Sequence, residues 1–283
     1  MKKDVIIFGT GCTGQKVYEL LGDKENIIGF MDNNEQTWGT QLFGKPVLGN
    51  SKHVNEYEFD EIYICSLPGL IYIEKELIEA GVEPGKINKI FVETSVNARI
   101  NFIKEFSELN KEIRDNYAVA EGGVYQGEFS KEINKYFPKS KCYLFDTFEG
   151  FNEEDIKLEQ KKAFSNQGTG HLGNTSEELV LAKLPHKEMV EIRKGYFPET
   201  AYSLDKEQFV FVNLDFDLYN PTLAGLRFFF PKMVKGGCIL IHDYFTKGYG
   251  GVKRAVEDYK KESKEEIVLL PIGDAFSVAI VKG

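Results

Sequence analysis

The stretch FVFVNLDFDLYNPTLAGLRFFFPKMVKGGCILIHDY, Phe209–Tyr244, decides how the rest of the chain is read. It holds two apolar runs, Phe209–Leu214 and Cys238–Ile241, each short enough for a buried strand. Both runs end in side chains that can ligate a metal: Asp215 and Asp217 after the first, His242 and Asp243 after the second. In an open parallel sheet, ligands sit outside the carboxyl ends of the strands, so residues just past two such runs can converge on one spot. Three carboxylates and an imidazole gathered there repel or go unsatisfied unless something positive sits among them. A divalent cation is the economical expectation.

Upstream, Ala118-Val119-Ala120 leads into Glu121-Gly122-Gly123-Val124-Tyr125-Gln126-Gly127, and Phe129, Ile133 and Tyr136 follow at helical spacing. This is a strand, a glycine loop and a helix. An acid followed by two well-placed glycines suits a ligand with an amino-acid end and a sugar but no pyrophosphate. The next apolar run, Cys142–Phe145, closes with Asp146, where an acid takes ribose hydroxyls. From Asn152 to Thr175 the chain turns polar and glycine-rich, which we read as a mobile lid, with His171 in it as a loop histidine able to reach a substrate. A strand at Met189–Ile192, a helix at about Gly251–Tyr259 and a closing antiparallel pair, Glu266–Leu270 and Phe276–Val281, complete the series.

The first third repeats the theme. Val5–Phe8 is followed by Gly9, Gly11 and Gly14 in a GxGxxG pattern, then by Val17, Leu20 and Leu21 at helical spacing. A second strand, Asn26–Met31, ends in Asp32, where a ribose-binding acid belongs. Pro46–Gly49, Glu61–Cys65, a helix from about Gly69 to Ala80 and a strand near Ile87–Val92 continue the alternation. Apolar residues at Ile100, Ile103, Phe106, Leu109 and Ile113 then predict an amphipathic helix over Asn97–Tyr117. The expected organisation is α/β with two Rossmann-like domains: residues 1–94, a linker helix over 95–116, and 117–283 as a mostly parallel sheet closed by the antiparallel hairpin.

A net charge of −9 argues against a protein that tracks nucleic-acid phosphates. No run approaches the roughly 18 apolar residues of a membrane span. The four cysteines are scattered singly, which fits free thiols in a cytoplasmic protein. We expect a homo-oligomer acting on a small molecule, with neither nucleic acid nor membrane as partner.

Two resemblances sharpen these expectations. The wording VIIFGTGCTGQKVYELL, IIGFMDNN and GTQLFGKPVLG resembles the amino-terminal domain of sugar acyltransferases that hold a nucleotide-linked sugar. It implies a nucleotide or nucleotide-sugar site at Gly9, Gly11, Gly14 and Asp32. In the remainder, AEGGVYQGEFS, LFDTFEGF, RKGYFPET, the stretch quoted first and GGVKRAVEDY resemble the macrocin O-methyltransferase family in order and separation. That family methylates sugar hydroxyls with S-adenosylmethionine and magnesium on a class I methyltransferase fold. With that cofactor, the strand, glycine loop, helix, strand, acid order predicts a cofactor set of Glu121, Gly122, Gly123, Tyr125, Gly127, Asp146 and Thr147. The resemblance makes Asp215 and Asp243 metal ligands, with His242 at the third ligand position, and Asp217 the catalytic base. His242 stands where the family has an aspartate, and a neutral imidazole could favour Mn2+ over Mg2+. Two other readings stand beside it: an NAD-dependent sugar oxidoreductase using the first glycine motif, and a non-catalytic binding protein with a decayed methyltransferase domain.

Overall fold

The computed structural model describes residues 2–67 and 69–283. The chain divides into two compact units, Met1–Val96 and Asn97–Gly283.

The first unit contains β1 (Asp4–Phe8), α1 (Cys12–Leu21), β2 (Asn26–Met31), β3 (Gln41–Leu42), β4 (Lys45–Pro46), β5 (Glu61–Ile64), α2 (Leu70–Glu79) and β6 (Ile87–Asn88). Its main sheet is parallel, in the order β2-β1-β5-β6. Successive residues of β1 feed opposite faces: Val5 and Ile7 join one apolar cluster, Ile6 and Phe8 the other. Both faces are covered, so the strand reads as an unbroken apolar run. Gly14 is where α1 meets the turn after β1; a Cβ there would lie 1.8 Å from the Gly9 carbonyl oxygen, so only glycine lets helix and strand close. The strand expected near Ile87–Val92 is shorter than its apolar content suggests, covering only Ile87–Asn88. Lys45–Pro46 belongs to a two-residue hairpin, and the Ile90–Val92 segment is already helical.

That helix, α3 (Ile90–Leu109), starts earlier and stops sooner than the 97–117 expectation, with a short 3-10 turn at Arg114–Asn116 after it. Phe91 packs in the first unit's core. Ile103, fully buried, packs in the second with Phe102 and Phe106.

The second unit follows with β7 (Ala118–Gly122), α4 (Glu128–Tyr136), β8 (Cys142–Asp146), α5 (Glu153–Lys161), α6 (Glu177–Lys183), β9 (Val190–Lys194), β10 (Phe209–Leu214), α7 (Tyr219–Phe229), β11 (Met233–Ile241), α8 (Gly250–Glu262), β12 (Leu269–Pro271) and β13 (Val278–Val281). Its sheet order is β12-β13-β11-β10-β7-β8-β9, with β13 antiparallel to both neighbours. The chain runs outward from β7 to β9 on one side, then returns to start again at β10 on the other. The crevice at such a switch point is where open α/β sheets bind ligands. Ala118, Ala120, Val212 and Ile239 face α7 and α8, whereas Val119, Phe211 and Leu240 face Ile103 and the α4 residue Ile133.

The polar segment after Asn152, expected as a lid, carries α5 and is tied at its base. Its ends are tied by Phe151 N–H to the His171 carbonyl at 3.1 Å and Gly170 N–H to the Phe151 carbonyl at 3.0 Å. Two buried acids of α5 grip the start of α7: Asp155 accepts from Asn220 Nδ2 at 2.7 Å, and Glu159 accepts from Tyr219 N–H at 2.7 Å.

Candidate active site

The register brings the acids together. Leu214 pairs with Gly122 on one side and Ile241 on the other, so the residues after β7, β10 and β11 emerge at one level. Asp215 N–H donates to the Gly122 carbonyl at 2.8 Å, and His242 N–H to the Leu214 carbonyl at 3.0 Å. Immediately beyond, Asp217 (φ 62°) and Asp243 (φ 57°) both adopt left-handed backbone. Aspartate tolerates that region better than most residues, yet it costs of order 1 kcal/mol or more and is held only where packing over-determines it.

The side chains of Asp215, His242 and Asp243 converge, with one ligand atom of each lying within 4.8 Å of the others. His242 Nδ1 is 3.0 Å from Asp215 Oδ1 and 2.9 Å from Asp243 Oδ2. Each carboxylate's other oxygen is tied elsewhere. Arg99 Nη2 sits 3.0 Å from Asp215 Oδ2, and Thr246 Oγ1 donates to Asp243 Oδ1 at 2.5 Å. Asp217 lies within hydrogen-bonding reach of Asp243. Burial pushes the Asp215 carboxyl up, but His242 and Arg99 outweigh it and hold it well below the usual carboxylate range. Burial likewise raises Asp243, and His242 overcomes this to lower it. For the imidazole, burial and Arg99 favour the neutral form, yet Asp215 and Asp243 prevail and raise it to about 10.

These donors fit a small divalent cation. Bonds near 2.1 Å around a six-coordinate ion put neighbouring donors about 3.0 Å apart, which is the spacing from Nδ1 to the two carboxylate oxygens. The set is two carboxylates and one imidazole, all on strand ends, with their outer oxygens already fixed.

The glycine loop abuts this cluster. At Gly123 (φ 81°) a Cβ would stand 2.0 Å from the Asp215 carbonyl oxygen, so the loop presses on the backbone of the acid stretch itself. Gly127 (φ 79°) forms the left-handed N-cap of α4. Asp146 serves the loop directly: Oδ2 accepts from the N–H groups of Val124 (2.7 Å) and Tyr125 (2.9 Å), and Oδ1 from Phe148 N–H (2.7 Å). Tyr125 has positive φ, and Thr147 Oγ1 donates to the Gly150 carbonyl at 2.9 Å in the following turn. Glu121 departs from the expected cofactor set. It is 1% exposed, and both its oxygens are engaged in the core, by Ser130 Oγ and by Asn213 Nδ2 at 2.9 Å. Burial raises its carboxyl to about 8. Strand β7 points this side chain inward, so it braces the site from beneath rather than lining it.

A family model described as macrocin O-methyltransferase (TylF) matches residues 118–278, more than half of the chain. The chain belongs to the macrocin O-methyltransferase family. This makes it an S-adenosylmethionine-dependent O-methyltransferase. A second model, the amino-terminal domain of C2185-like proteins, matches residues 1–88. Among solved structures, the O-methyltransferase NovP is similar with a TM-score of 0.53 at 20% identity, over 65% of this chain and 79% of that one. CalS11, a calicheamicin methyltransferase, gives 0.47 at 18% identity, over 65% and 79%. At these identities NovP supports the class I methyltransferase fold alone. No curated protein matches the chain.

In this methyltransferase several neighbours of the acids escaped sequence reading. Arg99 had a signal: it lies four residues before Ile103 and seven before Phe106, on the apolar stripe of α3, where a cation needs a partner. Asn213 and Ser130 had none, because their shared partner, Glu121, comes from another element; Thr246 is three residues from its own partner, Asp243, in one turn. His171 packs its ring 5.3 Å from that of Phe151, and burial lowers its pKa.

The first unit uses the same device as the second. Asp32 Oδ2 accepts from Thr10 N–H (2.8 Å) and Thr10 Oγ1 (2.6 Å), and Oδ1 from Asn34 N–H (2.9 Å). Thr10 and Asp32 are 22 residues apart, as are Val124 and Asp146. Gly9 (φ 122°), Gly11 at the N-cap of α1 and Gly14 form the loop that Asp32 clasps.

Proposed function

We propose that the chain methylates a hydroxyl of a sugar carried on a nucleotide, a glycan or a natural product, with a divalent cation at Asp215, His242 and Asp243 and with Asp217 as base. The observation that carries this reading is the convergence of those donors at the switch point, directly against the glycine loop. The cofactor would supply an electrophilic methyl group, and the ion a positive charge beside the acceptor oxygen. The protein's own work is alignment and proton removal. The loop from Gly122 to Gly127, clasped by Asp146, would hold the cofactor, and its contact with Asp215 would set the distance between methyl donor and acceptor site. Asp217, beside Asp243 and in a constrained backbone, would receive the hydroxyl proton. Family membership supports the sugar as acceptor class. In the first unit, Gly9, Gly11, Gly14 and Asp32 would hold a nucleotide or nucleotide sugar.

Methyl transfer from labelled S-adenosylmethionine to a panel of nucleotide sugars, with Mg2+, with Mn2+ and after chelation, tests the reading. Asp217→Asn should lower kcat by about 100-fold or more while metal and S-adenosylhomocysteine affinities hold. Full activity after exhaustive chelation would remove the ion from the mechanism.

A further inference from the structure

We infer that Arg99 is a positioning residue for Asp215, fixing which carboxylate oxygen is offered to the metal. The inference rests on the metal reading above. It concerns a residue of α3 that precedes the segment matched by the family model, 118–278.

Arg99 is held on several sides. Its guanidinium carbon lies 4.3 Å from the centroid of the Phe129 ring, which fixes the plane of the group. Its Nη2 is 3.0 Å from Asp215 Oδ2 and 3.4 Å from Asn213 Oδ1. Asn213 is anchored in turn by donating to the buried Glu121. The Arg99 side chain is only 13% exposed, so water competes weakly for these contacts. Asp215 Oδ2 is therefore committed, and Oδ1 is left facing His242 Nδ1. Thr246 does the corresponding service for Asp243, engaging Oδ1 and leaving Oδ2 toward the same nitrogen. Ligands fixed in this way bind an ion without first losing rotational freedom.

The test is Mn2+ binding to the full chain by calorimetry, with the electron paramagnetic resonance spectrum of the bound ion. S-Adenosylhomocysteine affinity and the thermal midpoint serve as controls. Arg99→Met should bind Mn2+ about 10- to 100-fold more weakly and alter the spectrum, with S-adenosylhomocysteine affinity within twofold. Arg99→Lys, which keeps the charge but loses the planar fork, should recover only part of the affinity. A dissociation constant for Arg99→Met equal to or tighter than that of the unaltered chain would overturn the inference, showing charge repulsion to outweigh orientation. If Arg99→Met does not fold, wild-type Mn2+ affinity in Arg99→Lys overturns it equally. An unaltered chain that binds no Mn2+ would sink the metal reading itself, and this inference with it.

Discussion

Replacing Asp146 with asparagine separates two roles that one carboxylate can play. If Asp146 acts only on the cofactor's ribose, the variant loses cofactor affinity and nothing else. The structure gives it prior work: three backbone N–H groups, from Val124, Tyr125 and Phe148, donate to its two oxygens at 2.7–2.9 Å. Hydrogen bonds to a charged acceptor contribute about 1.5–3 kcal/mol each, against about 0.5–1.5 for neutral ones. Asparagine can keep its oxygen toward Val124 and Tyr125, demoting two charged bonds to neutral ones at about 1 kcal/mol each. Its NH2 then faces Phe148 N–H, forfeiting a third bond. The sum is about 3–5 kcal/mol, which water reaching this half-buried position reduces to about 2–4. Urea unfolding of the cofactor-free chain, followed by a probe in the second unit, should register that loss, together with at least a tenfold weaker affinity for S-adenosylhomocysteine. Weaker cofactor binding with unchanged cofactor-free stability would refute the clasp and leave Asp146 as a ribose ligand alone.

The other expected outcomes concern different links of the chain. Burial raises the Glu159 carboxyl from 4.5 to about 7, so the folded state holds its proton more tightly than the unfolded one, and the stability it contributes is lost as pH rises between those values. The loss is about 3 kcal/mol, and the difference in urea midpoint between pH 5 and pH 8 should shrink in Glu159→Gln; parallel profiles would show that the acid is not strained. His242→Asp should shift the ratio of Mg2+ to Mn2+ affinity toward magnesium, because a carboxylate is a harder and more negative donor; an unchanged ratio in calorimetry would remove the imidazole from the ligand set. Gly14→Ala places a Cβ 1.8 Å from the Gly9 carbonyl oxygen and should destabilise the first unit by about 3 kcal/mol or more. In differential scanning calorimetry of the full chain the transition of the first unit alone should move, with S-adenosylhomocysteine binding retained; loss of both together would mean that the units do not fold independently.

Local sequence determined a good deal of this protein. Continuous apolar runs such as Val5–Phe8 and Phe209–Leu214 became strands because both faces of each are covered. Asp215 and His242, each one residue past the runs Phe209–Leu214 and Cys238–Ile241, fell at one sheet edge because parallel strands in register end together. Where a run was short or its neighbours mattered more, the sequence misled. Ile90–Val92 has strand-forming residues, yet it opens a helix whose later turns are fixed by Ile103 in the second unit's core. Tertiary structure alone decided which groups touch. Glu121 belongs to a ligand-loop pattern, but the alternation of β7 turns it into the core, where Ser130 and Asn213 from two other elements await it. Asp146 reads as a ribose acid and is found clasping the loop, because the backbone N–H groups of Val124 and Tyr125 come within its reach only after β7 and β8 pair. Arg99 lies 116 residues from Asp215 along the chain, and no local pattern encodes a contact over that separation. Periodicity reports which face of an element is buried; which partner waits at that face is settled when the sheet closes.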